Sequence, residues 1–220
     1  EAWQIYRQTR SIQGEAECIR RLGNIALWKS DYTTAKERHQ QALSLYREIG
    51  DARGEATCIM RLGDAALRSS DHATAKELYE QALSLFLKIG LVRGEANCIR
   101  RLGDIALEKS DVVTAKERYE QTLLLYRKMG SVWGEAKCFS GLGDIALRRS
   151  DQAEARRNFK TALTLFEQLE EPFRIGSTHL RLARVAENEP ERNQHIQAAR
   201  AVWERIDRSD LVKQLDEEFG

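Results

Sequence analysis

A repeat of forty residues constrains this chain more tightly than any other feature. The stretch Gly94-Glu95-Ala96-Asn97-Cys98-Ile99-Arg100-Arg101-Leu102-Gly103-Asp104-Ile105-Ala106-Leu107 has counterparts that begin at Gly14, Gly54 and Gly134. Self-similarity at a period of twenty to fifty residues marks a solenoid, in which each unit packs only on its neighbours. Residues 1–10, shifted by forty, lie over residues 41–50, so the chain opens inside the second helix of a repeat whose first half is missing. With no initiator Met, this predicts a piece of a longer protein whose exposed first helix could self-associate. The period then sets out four full repeats (11–50, 51–90, 91–130 and 131–170), a degenerate fifth (171–207) and a capping helix (208–220).

Each unit reads as two helices. In the second repeat, Ala56, Ile59, Leu62, Gly63, Ala66 and Leu67 recur at three- and four-residue steps and predict a helix over about 53–68. Ala75, Tyr79, Ala82, Leu83, Leu85 and Phe86 do the same for about 73–89. Ser70 or Asp71 can cap the second helix, and Gly50, Gly90 and Gly130 stand where a left-handed closing residue is expected. Short connections require antiparallel neighbours. Only two prolines interrupt a chain rich in Ala, Leu, Glu, Arg and Lys, so the fold class is all-α, an α-solenoid of antiparallel helix pairs. Gly23, Gly63, Gly103 and Gly143 sit mid-helix, where glycine costs about 1 kcal/mol relative to alanine. That repeated cost predicts close helix approach, with Ala35, Ala75, Ala115 and Ala155 opposite and the rings of His39, Tyr79, Tyr119 and Phe159 filling the gap.

Toward the C-terminus the pattern decays. Residues 173–188 predict a fifth first helix, Pro190 fits near a helix start, and 192–206 predict a second helix about three residues short. Ser209 can cap a last helix whose stripe is Leu211, Val212, Leu215 and Phe219.

Leu22-Gly23, Ala35, the ring at His39 and Ala42 resemble the signature of tetratricopeptide repeats, and the match recurs in four units. Two features depart from it: the period is forty rather than thirty-four, and the closing proline is absent. Arg21-Leu22-Gly23-Asn24 resembles the forty-residue variants of spindle-orientation adaptors and of sensor arrays on signalling ATPases. The resemblance implies a right-handed superhelix whose first helices line a concave groove for peptides or proteins. The groove positions it implies are Arg20, Asn24 and Trp28; Met60, Asp64 and Arg68; Arg100, Asp104 and Glu108; and Ser140, Asp144 and Arg148, with Leu27, Leu67, Leu107 and Leu147. Helical phase puts Arg61 and Arg101 on its flank. Two readings stay open for these charges: recognition of a ligand, or pairs such as Arg61–Asp64 and Arg101–Asp104 three apart on one helix, of about 0.3–0.5 kcal/mol each. A clamp for a C-terminal carboxylate fits Arg20 and Asn24 but not the acids at 64, 104 and 144.

Nothing in the sequence assembles into catalytic machinery. His39, His72, His179 and His195 fall at four phases of the repeat, which argues against a shared site, and no strand precedes a glycine-rich phosphate loop. Cys18, Cys58, Cys98 and Cys138 recur once per repeat, with neighbouring copies expected roughly 20 Å apart from twice the usual helix spacing. They read as buried thiols of a cytoplasmic protein rather than as a metal site or disulfides. A formal charge of +1 with interleaved acids argues against nucleic acid, and no apolar run is long enough to span a membrane. The sequence therefore points to a non-catalytic, cofactor-free interaction module of a signalling or adaptor protein, with a self-associating or autoinhibitory structural array as the alternative.

Overall fold

The computed structural model describes residues 12–219, so the expected helix end at 1–10 lies outside the described residues. The described residues form eleven helices in two compact units that divide after Lys109. Unit 1 holds α1 (Ile12–Trp28), α2 (Tyr32–Glu48), α3 (Ala52–Arg68), α4 (His72–Lys88) and α5 (Val92–Glu108). Unit 2 holds α6 (Val112–Lys128), α7 (Val132–Arg148), α8 (Gln152–Gln168), α9 (Pro172–Arg184), α10 (Glu189–Arg205) and α11 (Ser209–Phe219). The fold class is an all-α solenoid of antiparallel helix pairs.

The turn chemistry divides the work of Ser and Asp. Asp31, Asp71, Asp111 and Asp151 are the caps, each carboxylate accepting from the backbone N–H three residues on. Ser30, Ser70, Ser110 and Ser150 instead take the left-handed bend before them, at φ of 59–62°. Gly50, Gly90 and Gly130 take the equivalent bend after second helices, at φ of 63–70°. At the end of the fourth repeat Glu170 takes that conformation at φ 51°.

The glycines and rings interlock across each hairpin. A Cβ on Gly23 would lie 2.8 Å from the His39 ring, and one on Gly143 would lie 2.4 Å from Phe159. A second glycine row, not anticipated for contact with a ring, meets the aromatic residue of the preceding second helix: a Cβ on Gly54 would be 2.2 Å from Tyr46, and one on Gly94 2.3 Å from Phe86. Tyr79, Phe86 and Phe159 are thereby buried to 0–1% exposure. Each buried ring contributes about 1.5–3 kcal/mol of transfer free energy.

Three expectations need correction. The short member of the fifth repeat is its first helix, α9, which stops at Arg184, whereas α10 runs a full 17 residues from Glu189. Asn188 caps α10 by accepting from Glu191 N–H, which sets its start three residues earlier than the apolar pattern suggested. The last helix begins at Ser209, and the boundary acceptor is the Arg208 carbonyl, bonded by Leu211 and Val212 N–H. Neighbouring first helices touch: α1 meets α3, and α3 meets α5. Cys58, Cys98 and Cys138 are buried, and burial pushes the Cys58 and Cys98 thiols up to about 12, while Cys18 is half-buried.

Candidate functional site

The first-helix face of unit 1 is organised around two carboxylates. Glu17, on α1, accepts from Arg20 Nη2 at 2.7 Å, from Arg21 Nε at 2.7 Å and from the Tyr46 hydroxyl at 3.1 Å. Asp64, on α3 and only 5% exposed, accepts from the Tyr79 hydroxyl at 2.8 Å and from Arg61 at 2.9 Å, and pairs with Arg101 of α5 at 2.9 Å. Burial alone would raise the Asp64 carboxyl, but Arg101 and Arg61 outweigh it and hold the group below the usual carboxylate range. Arg101 also reaches Asp104 at 3.3 Å, and Arg100, itself 5% exposed, reaches Asp104 at 2.7 Å. The result is a polar network tied across α3, α4 and α5.

Unit 2 repeats the motif in a looser form. Arg181 of α9 makes a two-pronged contact to Asp144 of α7, at 2.9 and 3.3 Å, thirty-seven positions away, as Arg101 is from Asp64. Both partners are about a third exposed, and the ring at the Tyr79 position is Phe159, which has no hydroxyl.

In the first repeat the same positions carry Asn24 and His39. Among the described residues, Asn24 Oδ1, both His39 ring nitrogens and Arg61 Nε are buried without a hydrogen-bond partner. Burial first, then Arg61 and Arg20, lower the His39 pKa to about 4.

Of the positions assigned to a groove, the structure thus commits Arg20, Arg61, Asp64, Arg100, Arg101 and Asp104 of unit 1 and Asp144 of unit 2 to carboxylate–guanidinium pairs. Glu108 lies 3.0 Å from His72, and Arg148 donates to Ser110 at 3.4 Å. Leu27 and Leu107 are core residues at 5% and 8% exposure. At the C-terminal ends of the first helices, Trp28 is 81% exposed and Arg68 is exposed. Trp133, another candidate anchor, has Lys137 Nζ 4.1 Å from its ring centroid.

Sequence reasoning missed two features. Glu17 has no acidic counterpart at 57, 97 or 137, so the repeat pattern hides it. His179 and His195, placed at unrelated phases, meet with Nδ1 atoms 3.0 Å apart, because they stand eight residues either side of position 187 in the α9–α10 hairpin. Symmetry about a hairpin turn, rather than phase along the repeat, was the signal.

Comparison with known proteins bears on this architecture. A tetratricopeptide repeat model matches residues 15–88, and the model for soluble NSF attachment proteins matches residues 53–171, more than half of the chain. This chain belongs to the tetratricopeptide repeat proteins. Among solved structures similar to it, BtubC (BKLC) from P. vanneervenii is 19% identical over 100% of this chain and 89% of that one, with a TM-score of 0.71. The Rap conjugation gene regulator of plasmid pLS20, in complex with the Phr* peptide, is 13% identical over 96% of this chain and 59% of that one, with a TM-score of 0.79. A signal transduction ATPase with a tetratricopeptide repeat sensor, from Pyrococcus horikoshii, is 13% identical over 94% of this chain and 34% of that one, with a TM-score of 0.69. At these identities the likeness is one of tetratricopeptide fold. No curated protein matches the chain. Among the described residues, no helix is long and apolar enough to cross a membrane.

Proposed function

We propose that this tetratricopeptide array is a non-catalytic interaction module that binds a protein or peptide segment along its first-helix face, within a larger cytoplasmic signalling or adaptor protein. The observation that carries the reading is the contrast on the first helices of unit 1. Central charged residues of these helices are paired with one another, while Trp28 and Arg68 at the helix ends stay exposed. A paired polar network with an exposed aromatic and a guanidinium suits recognition of an extended segment, since binding then orders few protein side chains. The Rap regulator with its Phr* peptide is a precedent for a peptide on this fold. On this reading Trp28 and Arg68 make first contact, with Glu108 and Arg148 at equivalent places. Arg20, Asp64, Arg100, Arg101, Asp104 and Asp144 hold the surface in shape, and Asn24 stands among them. Photo-crosslinking residues placed at 28 and 68, and at 77 on α4 as a control, test it in lysate. Adducts from 28 and 68 but not from 77 are expected, and adducts from 77 alone would overturn it.

A second reading, self-association, draws on a separate observation. Leu22 and Ile25 of α1 are 45% and 44% exposed, where their counterparts Leu62, Ala65, Leu102 and Ile105 are buried. An apolar helix face of that kind can pack on another copy. Sedimentation that shows a dimer in the parent chain and a monomer in Leu22→Lys would favour this reading.

A further inference from the structure

The hairpin of the fifth repeat brings two imidazoles together at a place no other repeat uses. His179 of α9 and His195 of α10 have Nδ1 atoms 3.0 Å apart, ring centroids 5.2 Å apart and ring planes inclined by 37°. An ion with bonds of about 2.0–2.1 Å holds two cis nitrogens about 2.9–3.4 Å apart, from right-angled to tetrahedral geometry. We propose that His179 and His195 form a binding site for a first-row transition metal ion of the Zn2+, Ni2+ or Cu2+ class, which pins α9 to α10.

Three observations carry this beyond proximity. The pair is half-buried rather than sealed in the core, so an ion from solvent can approach it. The hairpin is preorganised without metal, because Ala183, Ile196, Ala199 and Trp203 bury one core between the same two helices. Glu191, one turn before His195 on α10, places a carboxylate whose charge acts on that ring, while Lys160 is drawn to Glu191 at 3.5 Å. The nitrogens stand at hydrogen-bond distance, as in a pair of neutral rings. Chelation asks the rings to turn about χ2, a motion that its broad well permits. Among the described residues no group of three or more His, Cys, Asp or Glu gathers, so water completes the coordination.

The test titrates ZnCl2, NiCl2 and CuCl2 separately into the 220-residue chain, with calorimetry and thermal unfolding as readouts. One equivalent is expected to bind and to raise the thermal midpoint. His179→Gln and His195→Gln should each weaken it by about tenfold or more, while His72→Gln leaves it unchanged. Paramagnetic resonance of the Cu2+ form needs no variant and should show two coupled imidazole nitrogens. Equal binding by the wild type and both Gln variants, no binding up to about 1 mM ion, or a Cu2+ spectrum without two imidazoles would reduce the pair to a hydrogen bond.

Discussion

Replacing Asp64 by alanine separates the buried form of the inter-repeat pair from the exposed form at Asp144. Asp64→Ala removes the acceptor of the Tyr79 hydroxyl and the partner of Arg61 and Arg101. These do not weigh equally. Tyr79 is fully buried, and an O–H left there without an acceptor costs about 1–3 kcal/mol. The Arg61 and Arg101 side chains are 36% and 24% exposed and can turn to water, and Arg101 keeps Asp104 at 3.3 Å, so together they add about 1 kcal/mol. The sum of about 2–4 kcal/mol lies near the low end of the 3–5 expected for breaking a fully buried pair. Asp144→Ala, at 32% exposure against an Arg181 at 30% and with Phe159 in place of a tyrosine, should cost only about 0.5–1 kcal/mol. Urea unfolding followed by circular dichroism measures both. Hydrogen exchange on each unit shows where the loss falls, since repeat arrays can unfold in parts. Equal losses for the two variants would refute the argument that burial and the tyrosine decide the strength of this contact.

Three further outcomes follow from local geometry. The His39 pKa is about 4 when folded against about 6.5 unfolded, so the unfolded chain binds a proton first. Stability should therefore fall by about 3 kcal/mol as pH drops from about 6.5 to about 4 and level off below, and His39→Phe should remove that slope in denaturation measured across the window. Gly54→Ala places a Cβ 2.2 Å from the Tyr46 ring and should cost about 1–3 kcal/mol by urea unfolding. Glu170→Gly relieves a side chain held at φ 51° and should raise stability by about 0.5–1 kcal/mol.

The repeat made much of the fold readable because a constraint met four times leaves four copies of its solution. Gly23 against His39 and Gly63 against Tyr79 could be anticipated from fixed spacing within one hairpin. The pairing of Asp64 with Arg101 was harder, since Arg101 also stands three residues before Asp104 on its own helix, and one-helix spacing offered a sufficient partner. Only the stagger of neighbouring first helices brings residues thirty-seven apart together. That column does read Asn24/Arg61, Asp64/Arg101 and Asp144/Arg181, but it is interrupted at Asp104 by Gly141, where a Cβ would lie 2.5 Å from the Tyr119 ring. The fifth repeat resisted because its caps changed: Asn188 and Pro190 moved the start of α10 and left α9 with 13 residues.

The most direct measurement of the central claim is a quantitative pull-down from source-cell lysate with the parent chain, a Trp28→Ser/Arg68→Glu variant and a second-helix control, Glu37→Lys/Glu77→Lys. All four substituted positions are exposed, so both variants should remain helical by circular dichroism. Recognition along the first-helix face predicts partners that the parent and the control retain and the first variant loses. Partners retained by the Trp28→Ser/Arg68→Glu chain and lost from the control would contradict it.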